Sequence, residues 1–255
     1  MPSRPEIPEL SAIVPGDRST YPKDSIINNY TRLSHIPSMG MGLVAAQDLP
    51  AGTAWCLASL DNYLPIPRKT FIAIRLAGKK YPEWKNFQSS IEMVAVYSPR
   101  FDAVNFSVDN LRFLNHGIVE GEGEGGVGNV EIGGTAVAED SLVGWAAWTN
   151  REIKQGEQLV ANYYGFKNCP WGNTCEKFLD LTLSDKLDFD IMDRETKLDE
   201  PVELILTRDQ FSVYTQSGLE REIDKALLAV IAKWGVWDEG RGSWVIKVPV
   251  ESPSQ

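Results

Sequence analysis

Apolar residues along this chain gather in short runs separated by Gly, Pro and Asn. GLVAA (42–46), TAWCLASL (53–60), IEMVAVY (91–97), VGWAAW (143–148) and QLVANYY (158–164) are the clearest. Runs of this length, bounded by turn-forming residues, predict short β-strands between about residues 30 and 180. Helical periodicity emerges late, where Leu219, Ile223, Leu227, Val230, Ile231 and Trp234 recur at helical spacing before Gly235. Ser217-Gly-Leu-Glu220 reads as the capping box that starts this helix. Val202–Thr207 and Phe211–Tyr214 flank a polar turn and Trp244–Val250 alternates, so residues 200–250 read as a ββαβ unit. The proline-rich start predicts an extended arm. The expected organisation is an arm over 1–29, a mainly β domain with short helices over 30–180, and a C-terminal α+β appendage over 181–255. No internal repeat is visible.

A chain of 255 residues, 43% hydrophobic and 24% charged, is large enough to bury a core with no disulfide or metal staple. Its formal net charge of −10 has the wrong sign for a binder of nucleic-acid backbone. The acids are unevenly placed: residues 120–140 hold six and no base, and residues 176–200 hold nine against four bases. Two solvated loops account for this, and so does a surface that attracts a basic protein segment. Three cysteines and two histidines make neither a disulfide framework nor a zinc site of usual spacing, so no metal is expected. That cysteine usage predicts an intracellular protein, nuclear or cytoplasmic. The N-terminus has no apolar h-region, and the longest uncharged run, Leu33–Gln47, is 15 residues. A span needs about 20 apolar residues, so neither secretion nor membrane insertion is predicted.

Three clusters carry candidate chemistry. Gly40-Met-Gly42-Leu-Val-Ala45 fits the GxGxxA dinucleotide pattern, but Pro50 and Gly52 interrupt the helix which that motif requires. The remaining reading is a Gly-rich strand entry whose bare backbone admits close approach. Arg112-Phe-Leu-Asn115-His116-Gly117 reads alone as a turn, preceded by Asp102-Ala103 and Asp109-Asn110. Arg151-Glu-Ile-Lys-Gln-Gly156-Glu157-Gln-Leu159-Val-Ala-Asn162-Tyr163 is the third.

Taken in order over about 40–166, these clusters resemble the SET-domain protein lysine methyltransferases. GMGLVAAQDLPAGT is similar to that family's opening Gly-rich block, DA…DNLRFLNHG to its DA…GNxxRFxNHS block, and REIKQGEQLVANY to its xDIxxGEELxxxY block. The resemblance implies a SET fold of small pseudoknotted β-sheets, in which the NHG and NYY segments lie against each other. It implies S-adenosylmethionine as cofactor and methyl transfer to a lysine in a basic protein segment. Met41, Gly42 and Leu43 would line the cofactor's amino-acid end, Arg112, Asn115 and His116 would bind its charged groups and adenine, and Tyr163 would stand at the transferred methyl. By residues alone Tyr163 also reads as a half-buried strand tyrosine, with Tyr164 competing through a one-residue slip.

Departures from the family pattern sharpen the picture. Gly117 replaces the usual serine, and an acidic GEGEGGVG stretch follows it. Ala58 and Ala161 stand where aromatic residues usually wall the lysine channel, so the pocket is expected to be wider unless Tyr63, Trp145 or Trp148 fills it. Phe166, Trp171 or Phe178 would close it in place of the family's cysteine-rich tails. Two further readings follow: a repurposed SET fold that takes a small molecule, for example as a cyclase, and a noncatalytic module that binds a basic partner.

Overall fold

The structure is a computed structural model that describes residues 30–37, 39–57, 62–98, 103–117, 128–134, 145–162, 198, 200–219 and 221–249. They fall into two units, one from residues 1–62 and 109–164, the other from 63–108 and 165–255.

The first unit is built from strands too short to satisfy their own backbones. β1 (Thr31–Ile36) and β2 (Gly40–Ala45) form an antiparallel hairpin, with Thr31 opposite Ala45 and Ile36 opposite Gly40. Gly40 closes it at φ +83°, a conformation side chains disfavour. β3 (Ala54–Leu57), β8 (Val130–Gly134) and β9 (Trp145–Thr149) make an antiparallel sheet in the order β3-β9-β8, with a bulge between Ala54 and Cys56. Thr149 pins the turn entering β3: its buried hydroxyl donates to the Pro50 carbonyl (2.6 Å) and accepts from the Thr53 amide (3.0 Å). β7 (Asn115–His116) and β10 (Val160–Ala161) pair in parallel.

The second unit rests on a large apolar core. β4 (Tyr63–Pro67), β5 (Val96–Ser98) and β6 (Ala103–Ser107) form a sheet of order β4-β6-β5. Two helices, α1 (Arg68–Gly78) and α2 (Pro82–Val94), connect β4 to β5. Further along come β11 (Val202–Thr207), α3 (Arg208–Gln216), α4 (Ala226–Trp234), β12 (Gly235–Asp238) and β13 (Ser243–Val248). Their antiparallel sheet runs β11-β13-β12. Trp84, Phe87, Phe106, Tyr214, Leu227 and Ile246 are among the side chains buried in the core.

Several strand expectations hold: the GLVAA, TAWCLASL, VGWAAW and QLVANYY runs each contribute strand residues, and Val202–Thr207 and Ser243–Val248 pair as strands. Others are corrected. The IEMVAVY run is strand only at Val96–Tyr97 and helical through Val94, because Trp84, Phe87 and Ile91 already bury one helical face and Pro82 opens that helix. Phe211–Tyr214 lies inside α3 and not in a strand. The capping box that operates there is Thr207 with Gln210: the Gln210 amide donates to Thr207 Oγ1 (3.1 Å), and the Thr207 amide to Gln210 Oε1 (2.9 Å). Ser217 caps the end of α3, so the expected late helix starts only at Ala226, after a 3-10 turn over Glu222–Lys225. That turn is tied by the Arg221 guanidinium on the Asp224 carboxylate (2.7 and 2.8 Å) and by the Tyr214 hydroxyl donating to the Asp224 carbonyl.

Gln210 does more than cap, since its buried Nε2 also donates to the Tyr63 carbonyl (2.7 Å). Thr207→Ala is therefore expected to lower stability by about 1 kcal/mol. Gln210→Ala, which also removes the bond to the Tyr63 carbonyl, is expected to cost about 2–3 kcal/mol. Urea unfolding of both variants checks the order.

Candidate functional site

The second half of the third sequence cluster runs through the first unit as a strap held on two sides. On one side it lies antiparallel to β2 and the residues after it. Leu49 and Ile153 exchange backbone bonds (2.8 and 2.9 Å), the Ala45 amide donates to the Glu157 carbonyl (2.8 Å), and the Leu159 amide donates to the Leu43 carbonyl (2.8 Å). On the other side, β7 pairs in parallel, with Asn115 opposite Val160 and His116 opposite Ala161. The Gly117 amide closes that ladder on the Ala161 carbonyl (3.0 Å).

Asn129 supplies the bonds that a two-residue strand cannot. Its backbone amide donates to the Val160 carbonyl (2.9 Å), its Oδ1 accepts from the Val160 amide (2.8 Å), and its Nδ2 donates to the Gln158 carbonyl (2.8 Å). The residue is only 3% exposed, so each of these groups would otherwise be buried without a partner. Gly128 lies flat on the same strap: a Cβ there would stand 2.8 Å from the Asn162 amide nitrogen and 3.1 Å from the Val160 carbonyl. Both contacts are to backbone, which cannot swing aside.

Gly42 is where the first cluster meets the other two. A Cβ on it would lie 2.7 Å from Ile36 Cγ1, 2.9 Å from Asn115 Nδ2 and 3.0 Å from Gln158 Nε2. Its bareness lets Asn115 cross β2 and donate from Nδ2 to the Met41 carbonyl (3.1 Å). Met41, Gly42, Leu43, Asn115, His116 and Ala161 are thus brought into one neighbourhood. Leu43 and Ala161 are buried, whereas Met41, Asn115 and His116 keep part of their surface open.

Arg112 behaves differently from its neighbours. At 7% exposure it turns inward, donates from Nη1 to the Asp109 carbonyl (2.9 Å), and stacks its guanidinium 4.7 Å from the Phe113 ring centroid. Asp109 Oδ1 accepts from the Leu111 amide (2.9 Å), so both charged groups hold the 3-10 turn (Asn110–Phe113) that leads into β7. The geometry gives Arg112 a role in shaping the site. Tyr63 belongs to the second unit, where its side chain is buried. Tyr163, Phe166 and Ala58, and the side chain of Trp145, lie outside the described residues.

Charges around the strap stabilise its entry turn. Gln155's backbone amide (2.8 Å), and then Lys154, hold the Asp48 carboxyl below its usual range. Arg151 does the same for Glu157. The His116 imidazole is pushed below its ordinary pKa by desolvation, against the opposing effect of its hydrogen bond to the Ala161 backbone. At neutral pH it is an uncharged ring. Among the described residues no cluster of His, Cys, Asp and Glu could hold a metal ion, and no helix is long and apolar enough to cross a membrane.

Asn129, Gly128 and Gln158 are the residues that sequence reading missed. An Asn beside Gly after a glycine-rich acidic stretch reads as loop, and its three bonds exist only once the strap is in place.

No protein-family model matches the chain, and no curated protein matches it. Solved structures do. A Plasmodium falciparum chain named as a candidate histone methyltransferase aligns at 10% identity and a TM-score of 0.32, over 52% of this chain and 92% of that one. A Polycomb Repressive Complex 2 chain from Chaetomium thermophilum aligns at 16% identity and a TM-score of 0.39, over 59% of this chain and 17% of that one. A ctPRC2 chain, from a complex in an autoinhibited conformation bound to S-adenosylmethionine, aligns at 15% identity and a TM-score of 0.37. That match covers 58% of this chain and 16% of that one. These partial likenesses leave activity and substrate to be read from the chain's own residues.

Asn129→Ala removes the side-chain bonds to Val160, Gln158 and, at 3.4 Å, Glu157, and is expected to cost about 2–4 kcal/mol in urea unfolding. His116 gives a pH signature. Above its ordinary pKa of about 6.5 the ring is neutral folded and unfolded. Below it the unfolded chain takes the proton first, so stability falls as pH drops until the folded-state pKa is passed. The urea midpoint is expected to fall as pH drops below about 6.5, and His116→Gln should flatten part of that slope.

Proposed function

We propose that the first unit, with the residues that follow Asn162, is the catalytic part of a SET-type protein-lysine methyltransferase that uses S-adenosylmethionine. The observation supporting this most directly is the convergence of three distant sequence blocks, at Gly42, at Asn115–His116 and at Gln158–Ala161, on one set of backbone and side-chain contacts. A pseudoknotted SET topology would require this meeting. A turn motif and an unrelated strand would not.

The residues present suit the cofactor. The Asn115 side-chain oxygen has no hydrogen-bond partner among the described residues and stands beside the Met41 carbonyl that its own Nδ2 contacts. Two neighbouring acceptors on a partly open surface fit the ammonium end of an amino acid. His116, half-buried and neutral, brings no positive charge against a sulfonium. Met41, Asn115 and His116 would therefore hold the cofactor, with Gly42 and Leu43 forming the strand beneath. When bound, S-adenosylmethionine supplies a methyl group that is already activated, which leaves orientation and desolvation to the protein.

The chain's own part in transfer lies with the strap. Holding residues 158–161 from both sides fixes where the backbone leaves toward Tyr163, whose hydroxyl would orient the incoming amine. A lysine of pKa about 10.4 must arrive or become neutral, and burial beside a positive charge lowers that value. A net charge of −10 suits a basic, lysine-bearing protein segment as substrate.

Calorimetric titration with S-adenosylmethionine and its demethylated product is expected to show micromolar binding, weakened about tenfold or more in Asn115→Ala. Tyr163→Phe is expected to bind within a few-fold of wild type while losing about a hundredfold or more in methyl incorporation into lysine-rich peptides. Absence of binding at millimolar ligand would sink the proposal.

A further inference from the structure

In the second unit, where the start of α2 meets the end of α4, a lysine head sits among groups suited to a cation. Lys233 Nζ lies 2.8 Å from Glu83 Oε1, 5.5 Å from the Trp234 ring centroid and 5.8 Å from that of Tyr81. The two rings meet at 5.1 Å and 66°, forming a corner closed by the carboxylate. We infer that Tyr81, Glu83 and Trp234 form a binding site for an alkylammonium group, and that the chain's own Lys233 fills it in this structure.

The corner does not depend on the lysine for its shape. Trp234 Nε1–H donates to the same Glu83 oxygen (2.9 Å), so the carboxylate stays aimed when Lys233 leaves. Trp234 in turn packs 6.5 Å from Trp84, which is fully buried. Glu83 lies in the first turn of α2, where the helix end favours a negative charge. Its side chain is 12% exposed and its carboxyl is held below the usual range, chiefly by Lys233. A carboxylate so placed favours a cation beside it.

Lys233 is a replaceable occupant. Its side chain is 57% exposed on a flexible stem, and exposed ion pairs are worth about 0–1 kcal/mol. A methylated ammonium keeps the charge, sheds hydration and gains contact with both rings, so it competes well for the same corner. The ligand class is thus an alkylammonium, either on a partner protein's lysine or as a small quaternary amine. The site stands on the second unit alone and is independent of the methyl-transfer reading.

The test uses Lys233→Ala, with Lys233→Met as a second variant that keeps the stem. Tetramethylammonium chloride and a trimethyllysine peptide serve as probes, followed by tryptophan fluorescence and calorimetry. Both variants are expected to bind a probe about tenfold more tightly than wild type. Adding Glu83→Gln or Tyr81→Leu should abolish that gain. Tighter binding of the peptide assigns the site to a lysine-bearing partner, and equal binding of the two probes assigns it to a small quaternary amine. Equal binding by wild type and Lys233→Ala, or a gain that survives both added substitutions, overturns the inference.

Discussion

The backbone of residues 157–161 has almost no unclaimed polar group, and the first unit depends on that fact. Residues from β2, from β7 and from the Gly128–Asn129 corner each take part of it, and none of the three could satisfy it alone. A buried amide or carbonyl without a partner costs about 1–3 kcal/mol, so losing any one flank would leave several such penalties together. The partners lie some hundred residues apart on the β2 side, as with Ala45 and Glu157. Such closure is slow, because chain entropy must be lost before the contacts reward it.

The two units reach stability by different routes. The first has short strands and relies on side chains such as Thr149 and Asn129 to finish ladders that backbone pairing leaves open. The second buries large rings, with Phe87 5.5 Å from Phe106 and Phe106 6.4 Å from Tyr214. Apolar cores accept volume-conserving exchange, whereas a polar plug such as Asn129 has no substitute of the same shape with both a donor and an acceptor.

This contrast explains what was legible in the sequence. Asn115, His116 and Gly42 stood out because their types and order are unusual, and the structure brings them together. Arg112 stood out equally, yet its guanidinium serves the turn, since type and spacing do not reveal which way a side chain points. In the first unit β2, β3, β9 and β10 were visible from their turn residues, whereas β1 and β8 were not and β7 read as a turn. The helices over 68–94 were not, because IEMV contains enough β-favouring residues to mask the Trp84–Phe87–Ile91 stripe. Ser217 ends α3 where a helix start was read, and the same pattern of residue types at Thr207–Gln210 forms a capping box. Asn129 could not have been found from local pattern, since every bond it makes is tertiary.

The interleaving of the units has a consequence for the nascent chain. Residues 63–108 leave the ribosome early, carrying Trp84, Phe87 and Phe106, whereas among the described residues their later core partners run from Leu198 and Val202 onward. The first unit receives its last strand, β10, in the interval. Within the later sheet, β13 is the middle strand but follows both its neighbours in the chain, so β11 emerges with an open edge. A long stretch of translation therefore passes before the aromatic side chains of residues 63–108 meet these partners. Synthesis of residues 109–201 thus separates in time the two groups of side chains that meet in this core.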